Sequence, residues 1–359
     1  MTNSTLRNVL AASVLWSVVA LGKTAAASNG WALVYANGNP TSWNYNSQGG
    51  LVVTSRLAAG QYEVDFTNMP HSATSIGHVT AFGGPNYCKL YASVVGNSTT
   101  TKLLVDCFTP QGALADTEFV AFVEQPDGFE NWGAGGFESV AGGTSPYLAA
   151  SWNSSGGTNS VTWNSSNSTY TISMPGIGTG NASVQVTAFG GQTFADDGHR
   201  CNIVSWSVYG GVTVKCYSAN GTPTAGQFNV SYIRAMIPQN AGGNAWVPQG
   251  AVSSYYRSAT GVSNCSFPTI TSSATSTVTT VTMPDAVKSS STEVVPLVTS
   301  HGGADNHCSI TSWYVPSGTT SIAATVECFD NAGNLLPVSS PQNDFSIAFA
   351  SRTMAECIQ

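Results

Sequence analysis

Charge is what this chain has least of. Only 8% of its 359 residues are Asp, Glu, Lys or Arg, and 11 cationic residues stand against 18 acidic ones, a net charge of -7. So few cations exclude nucleic acid and anionic membrane as partners, because both are bound through a basic patch. Helix signals are missing as well: no apolar stripe of 3.6-residue period runs beyond about two turns. Beyond residue 27 no segment approaches the ~20 apolar residues of a membrane span. The Gly-x-Ser-x-Gly elbow that would set a nucleophilic serine on a strand-to-helix turn is absent, and so is the Asp-x-Asp-x-Asp-Gly pattern of a calcium loop.

Gly, Ser, Thr and Asn are abundant instead, a composition that suits short strands joined by polar turns. Residues 1–27 read as a secretory signal, with Arg7, the apolar run Val9–Leu21 and Ala25-Ala26-Ala27 as a small-x-small cleavage site. Cleavage removes Arg7 and Lys23 and shifts the net charge from -7 to -9. Retention as an N-terminal anchor is the alternative; after cleavage no membrane insertion is expected.

The most informative feature occurs three times. A cysteine is followed 15 to 20 residues later by a second in the pattern Val-x-Cys-aromatic: Cys88 with Cys107, Cys201 with Cys216, Cys308 with Cys328. The second members read Val105-Asp106-Cys107-Phe108, Val214-Lys215-Cys216-Tyr217 and Val326-Glu327-Cys328-Phe329. Ahead of each pair comes one strand motif, Val79-Thr80-Ala81-Phe82-Gly83-Gly84, then Val186-Thr187-Ala188-Phe189-Gly190-Gly191, then Val298-Thr299-Ser300-His301-Gly302-Gly303. After each pair come a turn glycine (Gly112, Gly221, Gly333) and a last alternating strand. That strand is aligned as Val120 and Phe122, then Phe228, Val230 and Tyr232, then Phe345, Ile347 and Phe349. The cysteines share parity with apolar neighbours, so each pair is expected to form an inward disulfide between adjacent strands. Closing a loop of that size contributes roughly 3 kcal/mol by the chain-entropy account.

The fold expected is all-β: three tandem antiparallel β-sandwich modules over 28–126, 133–238 and 243–359, each with its own disulfide. They are immunoglobulin-like in shape only, because the cysteine spacing is too short for a true immunoglobulin domain. Cys265 and Cys357 fall outside the repeat and are expected to bond each other, making module three the atypical one; an intermolecular bridge or free thiols are the alternatives. Module three also has Thr279 and Val281 where the others have Tyr62 with Val64 and Tyr170 with Ile172. The aromatic module start, the Val-Thr-Ala-aromatic-Gly strand and the Cys…Val-x-Cys-aromatic hairpin resemble a group of secreted bacterial repeat proteins. The resemblance covers most of the mature chain and carries over no site residue.

Candidate sites are few. Trp206 and Trp313 lie five residues after Cys201 and Cys308 and by parity point away from the cysteine face, unless a bulge intervenes. Module one has Ser93 there, with Tyr91 nearby on the outer face. Flat exposed aromatics can stack sugar rings, while the alternative is that each Trp caps its sandwich or packs on the adjacent module. His301, Asp305 and His307 could ligate zinc, but module one has no ligand in the matching loop, which favours a plain polar loop. No catalytic residue and no cofactor are indicated. The function expected is that of a secreted non-catalytic repeat protein, adhesive or glycan-binding, whose partner is an extracellular glycan or cell-surface component. The alternative is a secreted hydrolase of extracellular polymer using an acid pair or the His301/Asp305/His307 loop.

Overall fold

The computed structural model describes residues 28–125, 135–141, 143–177, 183–190, 198–207, 209–233, 242–257, 270–284 and 294–351. Cys265, Cys357 and both inter-module segments lie outside the described residues, as does the signal. Among the described residues the fold is all-β, with one short 3-10 turn at Pro248–Gly250.

Module one consists of β1 (Ser28–Val34), β2 (Pro40–Asn46), β3 (Val52–Ala58), β4 (Gln61–Thr67), β5 (Ile76–Phe82), β6 (Tyr87–Leu90), β7 (Val95–Gly96), β8 (Thr100–Phe108) and β9 (Glu118–Gln125). Module two follows with β10 (Gly135–Ala141), β11 (Tyr147–Asn153), β12 (Ser160–Asn164), β13 (Thr169–Ser173), β14 (Ser183–Phe189), β15 (Arg200–Trp206), β16 (Gly211–Tyr217), β17 (Pro223–Thr224) and β18 (Gln227–Ile233). Module three has β19 (Gly242–Val247), β20 (Ser254–Arg257), β21 (Thr271–Ala274), β22 (Val278–Met283), β23 (Val294–His301), β24 (Asn306–Tyr314), β25 (Ile322–Asp330) and β26 (Asp344–Ser351). Each module is a two-layer sandwich. In module one, β2-β1-β9-β5 form one layer and β6-β8-β4-β3, with β7, the other; modules two and three repeat the division.

The sheets do not stop at the module borders. β5 of module one pairs in parallel with β24 of module three, β14 of module two with β6 of module one, and β23 of module three with β15 of module two. Three continuous sheets result, each shared by two modules, and the order one-to-three, three-to-two, two-to-one closes a ring. The repeated motif explains the joints. The glycine after its aromatic position donates its N–H to the neighbouring module's cysteine strand: Gly83 to Ile310, Gly190 to Leu90 and Gly302 to Ile203, at 2.7–3.0 Å. All three glycines have positive φ, between 86° and 121°, a conformation that side chains with a Cβ avoid.

The threonine of the motif closes the ring axis. Thr80 Oγ1 bonds both backbone groups of Val298, Thr299 Oγ1 bonds both of Val186, and Thr187 Oγ1 accepts from Val79 N–H, at 3.0–3.3 Å. Below them the three hairpin turns interlock. A Cβ added to Gly112 would lie 2.3 Å from Ala219, one on Gly221 2.5 Å from Asn331, and one on Gly333 2.7 Å from Pro110.

Because β1 and β9 face their own core on one side and module three on the other, both are buried on both faces. Ala32, Val34, Phe119, Ala121 and Val123 join module one's core, while Trp31, Leu33, Val120 and Phe122 belong to the core cluster of module three. This corrects one alignment made from the sequence. β5 and its counterparts pair Ala81 with Phe119, Ala188 with Phe228 and Ser300 with Phe345, so Phe119, Ala121 and Val123 are the true equivalents, not Val120 and Phe122. A strand apolar on both faces shows no alternation to read.

Disulfides Cys88–Cys107, Cys201–Cys216 and Cys308–Cys328 join residues directly opposite one another in antiparallel pairs. The second cysteine of each pair is fully buried.

Candidate ligand-binding site

The modules differ most just after the first cysteine. In modules two and three the cysteine strand is long, and a bulge between Ile203 and Ser205, or Ile310 and Ser312, carries it on to a tryptophan. The bulge sets Trp206 opposite Val212 and Trp313 opposite Ala324. Val212 and Ala324 are core residues, so both rings lie on the cysteine face rather than the outward face expected from unbroken alternation.

Both also sit at seams. Trp313, 3% exposed, packs on Trp43 (ring centres 4.6 Å apart) and edge-on to Phe82 (5.4 Å), both from module one. The half-buried Trp206 meets Trp246 (5.2 Å) and His301 (5.1 Å) of module three. Phe82 and His301 occupy the same motif position, so the two seams are built alike.

In module one the corresponding strand, β6, ends at Leu90. The chain then bends through residues 91–94 before pairing again as β7. Ser93 stands where the other modules have a tryptophan, and the outer surface of β4 and β8 beside Tyr91 carries a hollow of about 300 Å³. Tyr91, 38% exposed, stands at its edge, held by its own N–H donating to Leu104 C=O at 2.8 Å. Leu57 and Leu104 add aliphatic wall. Gln61 and Asp106 face each other across β4 and β8, and Gln61 Nε2 donates to Asp106 Oδ1 at 3.1 Å, which fixes the amide.

Two same-face steps further along the ladder, Lys102 stands opposite Asp65, and its Nζ bridges Glu63 (2.8 Å) and Asp65 (3.1 Å). Burial pushes the Asp65 carboxyl up, with Lys102 opposing, while hydrogen bonds to Glu63 and Asp65 hold the Lys102 ammonium above its ordinary range. An aromatic plate, aliphatic walls and an oriented amide–carboxylate pair make a surface able to grip a flat, amphipathic, hydroxyl-rich ring. Modules two and three have Thr169 and Val278 in place of Gln61, Thr213 and Thr325 in place of Leu104, and Lys215 and Glu327 in place of Asp106. This set of lining residues is therefore peculiar to module one.

The three candidate zinc ligands are dispersed. His301 is wedged against Trp206 and Trp246, Asp305 lies 2.5 Å from Arg200, and His307 Nε2 bonds the Pro85 carbonyl. Among the described residues no group of three or more His, Cys, Asp or Glu is placed to hold a metal ion. Buried His78 bonds Ser231 Oγ (2.7 Å) and Thr187 Oγ1 (3.1 Å). Burial lowers its pKa to about 3, and Ser231 is 2% exposed, so this serine–histidine contact is a seam between modules one and two.

Sequence reasoning singled out His307 only as a zinc ligand and missed Tyr87 and Arg200, which meet it on the axis. Tyr87, Arg200 and His307 each precede the first cysteine of a module, and each reaches into the next module: Tyr87 to Gly198 C=O, Arg200 to Asp305, His307 to Pro85 C=O. The residues after those cysteines do the same, Lys89 to Gly190, Asn202 to Ala304 and Asn306, Ser309 to Gly84. Their shared place in the repeat was the available signal, but their chemical types differ too much to register as a motif. No family model matches the chain, and neither a curated protein nor a solved structure matches it.

Proposed function

We propose that this is a secreted, non-catalytic binding protein that holds an extracellular glycan in the hollow beside Tyr91. The observation that carries the reading is the exposed tyrosine at the rim of an open hollow whose polar pair, Gln61 and Asp106, is already oriented. At about 300 Å³ the hollow is at the small end of ligand pockets, which suits a short stretch of sugar rather than a folded partner. Ring stacking supplies the area, and a preset amide–carboxylate pair supplies directional bonds at little ordering cost. The signal, the three disulfides and the low charge fit an extracellular address.

The test is a glycan array with the mature protein, followed by titration of the hits with Tyr91→Ala and Gln61→Ala. Binding weakened at least about tenfold by Tyr91→Ala, the equivalent of ~1.4 kcal/mol, is expected. An empty array alongside turnover in a hydrolase screen would overturn the reading.

A further inference from the structure

Where the three modules meet, the side chains ahead of the cysteines form one cluster. The Arg200 guanidinium stands 5.0 Å from the centre of the Tyr87 ring, and that ring lies 5.5 Å from the His307 ring. Beside them is a chamber of about 60 Å³, walled by Tyr87, Arg200, Asn202, His307 and the axial threonines. Arg200 is 5% exposed, and only its Nη2 approaches a carboxylate, Asp305 Oδ1 at 2.5 Å. Among the described residues Arg200 Nε and Nη1 have no hydrogen-bond partner, and neither does His307 Nδ1. A buried donor left unmet is costly, and a guanidinium offers five in a fixed fork.

We propose that the axial chamber binds one small monovalent anion, between chloride and nitrate in size, through Arg200 and His307. Arg200 lines the chamber, and the Asp305 carboxylate approaches only one of its nitrogens. The room suits a few atoms and no sugar, so this site is separate from the hollow of module one. His307 donates through Nε2 to Pro85, so Nδ1 of the neutral ring carries a lone pair and can face an anion only after taking a proton. Anion and proton therefore enter together. The groups packed around His307 are Tyr87 from β6, Arg200 from β15, Phe329 and Asp330 at the end of β25, and Asp305 beside Arg200. The anion supplies the negative charge that lets this ring ionise beside Arg200.

The experiment is thermal unfolding of the mature protein in chloride and in gluconate at equal ionic strength, with bromide soaked into crystals of the same protein. Chloride is expected to raise the midpoint by about 2–4 °C over gluconate, and by more near pH 5.5 than near pH 7.5. A bromide peak should lie within hydrogen-bond reach of Arg200. The variant Arg200→Tyr, which installs the residue module one carries at that position, should lose the chloride dependence. Equal midpoints in the two salts, or a bromide map empty at Arg200, overturn the proposal whether or not the variant folds.

Discussion

Thr279 shows how a single position records the divergence of the repeats. Its counterparts Tyr62 and Tyr170 fill the core and anchor their hydroxyls, Tyr62 donating to Ala36 C=O (2.9 Å) and Tyr170 accepting from Gly226 N–H (3.0 Å). Thr279 is 1% exposed, and its hydroxyl has no partner among the described residues. Thr279→Val keeps the shape and removes the stranded oxygen, so it should raise unfolding stability by ~1 kcal/mol. Equilibrium denaturation in urea checks this, and a lower midpoint for the variant would contradict it.

The two seam tryptophans separate by burial. Trp313→Ala should cost about 3–5 kcal/mol, as expected for a fully packed large side chain. Trp206→Ala should cost clearly less, because its ring is only half-buried. Equal losses in the same urea experiment would mean that the seams are not held as described.

Among the elements, the strands that carry the cysteines show what was legible in the sequence. Parity put each pair on the apolar face, and the three disulfides are where the spacing placed them. The turn glycines Gly112, Gly221 and Gly333 were equally visible, because positive φ demands them. Two features were hidden. A bulge moves a side chain to the other face without changing composition, so the orientation of Trp206 and Trp313 could not be read from alternation. The Val-Thr-Ala-aromatic-Gly strand looks internal to its module, because pairing with a neighbouring module leaves the same apolar pattern as pairing within one. Tyr91 could be singled out as an outer-face aromatic, but the early end of β6 just before it has no sequence signature of its own.

For the whole molecule, ring closure places a histidine at each seam, His78 and His307 buried and His301 half-buried. His78 lies between modules one and two, His301 between two and three, His307 between three and one. Burial lowers all three, His78 to about 3 and the other two to about 4. They stay neutral in the anion-free fold but would charge near 6.5 in the unfolded chain, so their contribution is present above that pH and lost as pH falls below it. Glu124 works the other way. Its side chain is only half-buried, yet its carboxyl is ringed by protein and pushed up to about 8. Its contribution is full below about 4.5 and is lost as pH rises toward 8. Among these four groups three histidines outweigh one carboxylate below 6.5 and Glu124 prevails above it, so their sum places the stability maximum near pH 6.5. Midpoints measured in gluconate across pH 4.5–8.5 test this, and a steady rise through the whole range would contradict it.

Closure also means that no module presents a free pair of layers, since each sheet is completed by a neighbour. The axial chamber depends on that arrangement, because residues of all three modules wall it. Scanning calorimetry of the mature protein tests it most directly, because cooperative units are counted by comparing the measured enthalpy with the van't Hoff enthalpy. A closed ring predicts one transition with the two enthalpies equal. Three resolvable transitions, or a calorimetric enthalpy about threefold the van't Hoff value, would show three independent modules on a string and contradict the ring.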